Sequence, residues 1–482
     1  MMRAVKSGPI FSRRVKILLA LFVFSLPLVN PWVRGDGVGY YAFGRSILIG
    51  GNLDFTKDWL AANSSFRLGR VNSYGYISQN QFTVTGHLDN HFTIGPAILW
   101  SPFLLIAHLS VKASQIFGSH VSADGFSSPY MIAMALGTAF YGFLGIWFSF
   151  LLAKKYCGEK WAFLAALGIW FASSLPVYMY FNPSWAHAHS AFAVSLFLWY
   201  WDRARAARTW AQWLILGVIA GLMMNVYYVN AALLIVPLME SLAGFWDRLK
   251  AGEIERIKQL FICNVIFVIT ILIALAPTFI TKKIIYGSYL HLGYTERWFW
   301  KSPAFLKVCF SAEHGLFSWT PILILSVAGL VLLRRYDRDL SLFLTGGFLL
   351  YLYTIGCYQN WDGISSFGNR FFVSLTPIFV LGLAAFFDWL GRAWQEHRAA
   401  LFASIVTAAL IAWNLGLIFQ WGTHLIPARG PISWRDAAYN QVAVVPAQTI
   451  RSLKAYFTGR GRLMGHIEQE DLRQLQEQNK EP

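Results

Sequence analysis

The chain has 482 residues, of which 13% are charged and 56% apolar, whereas a soluble globular domain carries about 25% charged residues. That balance excludes an ordinary soluble enzyme. The net charge of +16 would suit a nucleic-acid partner in a soluble protein; here the basic residues fall in short loops between apolar runs, as the positive-inside rule requires, and no nucleic acid is expected.

The first element is a basic segment (Arg3, Lys6, Arg13, Arg14, Lys16) followed by an apolar run over residues 17–33. No small-x-small cleavage motif follows it, so the run is read as an uncleaved first helix. Further runs cover residues 130–153, 161–181, 261–281 and 401–421. Each is long enough for a hydrocarbon layer about 30 Å thick, which takes roughly 20 helical residues. Backbone groups in lipid must be satisfied within the segment, so these runs are helices. The period-two alternation of a membrane barrel is absent.

Five short basic loops (154–160, 202–208, 247–258, 334–339 and 391–398) are spaced so that all can share the cytoplasmic side with the N-terminal arginines. The loops at 182–189, 225–230, 282–320 and 358–370 are then external. Asp36 lies outside and Lys154 inside, so an odd number of crossings separates them. The stretch 93–107 is short and interrupted by Gly95-Pro96 and Ser101-Pro102, which predicts a broken segment that lies in the interface or re-enters. The fold class is an all-α integral membrane protein with about 11 transmembrane helices. Residues 1–16 form a cytoplasmic N-terminus and 17–421 the membrane domain. Within it, 34–128 is a long first external loop with an amphipathic interfacial helix over 38–49. Residues 422–482 are an external polar tail with a surface helix over 472–479. The basic-loop pattern and the lack of a eukaryotic targeting signal point to a bacterial inner membrane. The four cysteines show no metal-ligand spacing.

Among the external acids, Asp36 stands apart. It follows a membrane span directly, in Arg34-Gly35-Asp36-Gly37-Val38-Gly39-Tyr40-Tyr41, where an unpaired charge near lipid is costly and usually functional. Flanking glycines let the backbone approach a ligand; the plainer alternative is a helix-capping aspartate. This hydrophobic helix followed by Gly-Asp-Gly-x-x-Tyr-Tyr, and then Gly51-Asn52-Leu53-Asp54-Phe55, resembles the first external loop of GT-C superfamily glycosyltransferases. The nearer likeness is to protein O-mannosyltransferases and to the aminoarabinose transferases that modify lipid A. Asn90-His91-Phe92-Thr93-Ile94-Gly95-Pro96 resembles that family's Lys-Pro-Pro-like segment, with His91 in place of the usual lysine. The resemblance implies a sugar donor on a polyprenyl phosphate, an acceptor lipid, glycan or protein, and inversion at the anomeric carbon. Membrane lipids are the other expected partners.

A carboxylate that takes the acceptor proton and cations that hold the phosphate would serve that reaction. Asp36 is expected as base and Asp54 as second acid or sugar contact. His91, Arg370 and Arg297 are candidates for the donor phosphate, and Tyr40 and Tyr41 for packing on the sugar, although interfacial aromatic belts also use tyrosine. His187 and His189 fall in the second external loop, where relatives often place an acid; at i, i+2 they share no helical face, so hydroxyl hydrogen bonding is favoured over metal binding. Glu313, His314 and Asp362 complete the substrate-binding candidates. No cofactor is assigned and a divalent-cation requirement stays open. A flippase for lipid-linked sugars, or a non-catalytic accessory protein of the same fold, remains as the alternative.

Overall fold

The computed structural model describes residues 12–205 and 208–478; the basic residues Arg3 and Lys6, part of the 202–208 loop and the end of the 472–479 helix lie outside them. Among the described residues the secondary structure is helical, with only isolated β-bridges, and seven helices are long and apolar enough to cross a membrane. In chain order the main elements are α1 (Arg13–Ser25), α2 (Asp36–Arg45), α3 (Gly95–Ile116), α4 (Ser128–Phe171), α5 (His187–Ala204), α6 (Trp210–Val226), α7 (Ile235–Lys250), α8 (Ile254–Ala274), α9 (Ala276–Tyr286), α10 (Ile322–Leu332), α11 (Arg338–Cys357), α12 (Thr376–Ala393), α13 (Glu396–Gly422), α14 (Trp434–Ala443), α15 (Val445–Thr458) and α16 (Arg460–Gln478). The protein is a multi-pass helical membrane protein.

α4 is a hairpin and not one rod. Gly158 sits at φ 76° inside it, and the Phe143 and Trp170 rings lie 5.7 Å apart, whereas 27 residues of straight helix would separate them by about 40 Å. The hairpin tip meets the 202–208 and 391–398 loops at one end of the bundle, and the 202–208 loop meets the 334–339 loop there. Lys155 pairs with Asp202, Lys160 with Glu396, and Arg205 with Asp337. Ser12, at the start of α1, donates to Glu159 at the same tip. The opposite end gathers Asp36, the 182–187 turn, the 360–370 loop and the C-terminal helices.

α3 corrects one expectation. The stretch expected to break at its prolines is a continuous helix: Pro96 occupies the first turn, where its missing N–H costs nothing. Pro102 deprives the Ile98 carbonyl of its backbone donor, and the Ser101 hydroxyl supplies one at 2.7 Å. Both flanks of α3 nevertheless meet the end that carries Asp36. Thr93 donates to the Val226 carbonyl at 2.7 Å before the helix, and Gly125 accepts from Tyr41 at 2.6 Å after it.

α2 is a second correction. It starts at Asp36, and every residue from Gly37 to Arg45 is buried, so it is not the amphipathic helix expected over 38–49. At its far end Arg45 and Asp58, 5% and 2% exposed, form an ion pair that closes the first loop onto the helix.

The C-terminal segment is the largest departure. Instead of a polar tail it forms an arm of three helices, α14–α16. α14 runs back alongside α13: Gln420 donates to the Ala437 carbonyl at 3.1 Å, and Gln441, one helical turn on, to that of Ala412 at 3.1 Å. α15 returns to the outer end of α1, where Tyr456 donates to Leu28 O at 2.7 Å. α16 then crosses the first loop.

Candidate active site

Asp36 is the first residue of α2, and Gly35 before it adopts φ 52°, a left-handed conformation that only glycine takes cheaply. This turn lifts the carboxylate out of an otherwise buried helix. The flanking glycines serve packing more than ligand approach: a Cβ at Gly39 would lie 2.0 Å from the Phe92 ring. The side chain of Asp36 is 35% exposed and accepts from Arg370 Nη1 at 2.7 Å.

Arg370 ends the 360–370 loop. His314 Nδ1 lies 3.0 Å from the Asp362 carbonyl, Ser366 donates to that same carbonyl at 3.1 Å, and Asn369 donates to Trp361 O at 3.0 Å. These bonds fix the loop, and the guanidinium stacks over Trp185, 4.5 Å from the ring centre. Its Nε is buried without a partner among the described residues, so a planar donor remains available for an anion.

Both groups open onto a cavity of about 960 Å³, near the top of the ~300–1,000 Å³ range of small-molecule sites. Arg34, Arg70, Arg370 and Arg429 line it against only Asp36 and Asp471 among the acids. The excess of arginine suits an anionic ligand. The arm supplies one wall: Asp471 pairs with Arg34 and with His424 Nε2, the latter at 3.0 Å. Burial opposes the ionised form, but the hydrogen bond from His424 and the charge of Arg34 hold the Asp471 carboxyl below its ordinary value. Glu468 accepts from Asn63 at 2.9 Å and from the Ser65 backbone at 2.6 Å.

Of the residues singled out in the sequence, the structure brings Asp36 and Arg370 together in this cavity. Tyr40 lies beside them but is buried, its ring 4.8 Å from Phe92. His91 packs at a tilt against Phe92 and Tyr294. Burial lowers its pKa despite Asp36 and Asp89, which makes it a poor fixed cation for a phosphate. The cation beside it is Lys282, whose Nζ donates to the carbonyls of Asn90 and Phe92 at 3.0 and 3.2 Å. Burial there, only partly offset by Asp89, brings Lys282 down to about 7.

Others sit elsewhere. Asp54 is exposed and bonds locally just before the helix that starts at Thr56, accepting from Thr56 N at 2.9 Å and Thr56 Oγ1 at 2.6 Å; the side-chain bond from Thr56 lowers its pKa. Tyr41 is buried against Trp100. His189 is fully buried beside Trp100 and Tyr141, and His187 is enclosed by Tyr178, Trp185 and Tyr227. Both histidines are enclosed by aromatic rings, and His187 Nδ1 and both ring nitrogens of His189 have no hydrogen-bond partner among the described residues. Arg297 is exposed, held only through its backbone to Gln359. His314 and Asp362 act as loop braces, with His314 brought to about 4 by burial, and Glu313 lies next to that brace, outside the cavity lining. Sequence reasoning missed Arg34, Arg70, Arg429, His424 and Asp471; Arg34 alone carried a local signal, as a charge at the end of a span. Among the described residues no three metal-ligating side chains come together.

No family model and no curated protein sequence matches the chain. Among solved structures, apo ArnT from Cupriavidus metallidurans is similar over 92% of this chain and 77% of its own, at 14% identity and TM-score 0.50. ArnT bound to undecaprenyl phosphate matches at 15% identity and TM-score 0.49, over 93% of this chain and 77% of that one. The Archaeoglobus fulgidus oligosaccharyltransferase AglB, in complex with an inhibitory peptide and a dolichol-phosphate, matches at 13% identity and TM-score 0.44, over 95% and 56%. The likeness to apo ArnT is one of fold.

Proposed function

We propose that this protein is a glycosyltransferase that moves a sugar from a polyprenyl-phosphate donor to an acceptor hydroxyl, inverting the anomeric carbon, on the face that carries Asp36. The observation that carries the reading is a partly exposed carboxylate, oriented by Arg370 at 2.7 Å, in the wall of a large cavity rich in arginine. In this scheme the donor phosphate enters among the arginines and draws Arg370 from Asp36. Asp36 takes the acceptor proton as the acceptor oxygen bonds to the anomeric carbon. The bond from that carbon to the phosphate oxygen breaks, and its electrons leave with the polyprenyl phosphate, whose developing charge the arginines stabilise. A phosphate leaves readily, so no general acid is required.

The contacts at the two ends of the bundle support eleven crossings, with α3 lying on the side of Asp36 without crossing and the basic end cytoplasmic. On this reading the membrane is a bacterial inner membrane, and residues 34–128 form the external loop that holds the base. The testing experiment measures transfer from a panel of polyprenyl-phosphate sugars by the wild type and by Asp36→Asn. Transfer that falls by about 10²-fold or more, with donor binding kept, is the expected result. Donor bound by both proteins and transferred by neither would leave the flippase reading in its place.

A further inference from the structure

The same cavity has a second, apolar region. Residues from Ala412 to Gly422 of α13 line it, a descent of about 15 Å along the helix, half the hydrocarbon thickness. The facing wall at this depth is the arm. α14 follows α13 downward, so closely at Gly416 that a Cβ there would lie 2.0 Å from the Gln441 side chain. Val445, Leu453 and Ile467 of the arm line the cavity opposite Leu415 and Phe419. The arm's other side exposes Val442 by 80%, Ile450 by 79% and Phe457 by 53%, with exposed Lys454 between the last two on the same face, a pattern suited to the interfacial layer of a membrane, where a lysine reaches the headgroups. The arm therefore sits in the interfacial layer as a helical hairpin, and the space between it and α13 is apolar at depth and ends at the arginines.

We infer that the groove between the α14–α15 hairpin and α13 holds the hydrocarbon chain of an anionic lipid, with its phosphate among Arg34, Arg70 and Arg370. This assignment rests on the transferase reading only for why such a lipid would be bound. A polyprenyl donor and an acyl lipid acceptor share the required chemistry, a long chain on a phosphate. The groove selects by chain length because its apolar wall lies well below the headgroup site.

The test measures binding by the purified full-length protein of geranyl phosphate, undecaprenyl phosphate and dioleoyl phosphatidate. Ala412→Trp and Leu453→Trp fill the groove from its two walls, at positions with exposed side chains. Val442→Trp, on the outer side of the arm, is the control. The expected result is a loss of about tenfold or more for a long-chain phosphate in both filled variants, with geranyl phosphate and the control unchanged. Loss for undecaprenyl phosphate alone assigns the groove to the donor, and loss for phosphatidate alone to an acyl lipid. Unchanged long-chain binding, or equal loss for short and long chains, overturns the inference. Because binding is read without transfer, an absence of activity in wild type would sink the transferase reading and leave this result standing.

Discussion

Neutralising Asp36, the proposed base, should tighten binding of the proposed donor while it abolishes transfer. Asp36 and Arg370 are 2.7 Å apart, with side chains 35% and 12% exposed. Two charges about 4 Å apart in an environment of effective dielectric ~20 attract by about 4 kcal/mol. Water at the exposed carboxylate and the solvation regained on separation reduce the net coupling to about 1–2 kcal/mol. A phosphate that recruits Arg370 must overcome that coupling in wild type and not in Asp36→Asn. The guanidinium does not lose its place in the variant, because the stack on Trp185 and the braced 360–370 loop remain. The donor Kd should therefore fall roughly 5- to 30-fold in Asp36→Asn, while Arg370→Gln raises it. Titration of purified protein in nanodiscs with undecaprenyl phosphate at two salt concentrations reads the effect. Unchanged or weaker binding by Asp36→Asn would refute the idea that the aspartate and the phosphate compete for one arginine.

Lys282 lies below its ordinary value, at about 7, so between that pH and about 10 the unfolded chain binds a proton that the folded chain does not, and stability rises with pH. Melting followed by tryptophan fluorescence should rise from pH 7 to 10 relative to Lys282→Met, by at most roughly 1.4 kcal/mol per pH unit; a parallel pH course in the two proteins would show that the buried ammonium is not responsible. Gly39→Ala places a Cβ 2.0 Å from the Phe92 ring and should cost about 1–3 kcal/mol of stability, seen as a lower melting temperature; an unchanged melt would mean that Phe92 moves freely. Combining Asp471→Asn with Glu468→Gln removes the carboxylate anchors of α16. Limited proteolysis should then cut the arm faster while the bundle stays intact, and equal cleavage rates would show that these carboxylates do not seat it.

Much of this could be read along the chain. The crossing helices announce themselves by apolar length, and the basic loops by charge, because lipid imposes both signals locally. Asp36 was legible for the same reason, as a charge where charge is expensive. Arg370 stood out as an arginine at the outer end of a span. The arm was not legible: the apolar stretch from Val442 to Ala447 is too short to register as a span, and its course depends on packing against α13. The Arg34–Asp471 pair joins residues 437 positions apart, and nothing near either one signals the other. His189 and Tyr41 misled because a buried polar aromatic and a ligand-binding one look alike in sequence. Pro102 misled because the serine that repairs its missing bond is recognisable only once the helix is known.

The closure of the first loop by α16 also fixes an order of assembly. Synthesis proceeds from the N-terminus, so Asp36 and Arg370 can meet as soon as α12 has inserted. The wall that carries Asp471 arrives only about eighty residues after the end of α12. A nascent chain paused at the end of α13 would hold its charged pair in a cleft open to lipid and solvent on one side. Completion of the cavity thus comes after α13 has inserted, once the arm has folded back onto it.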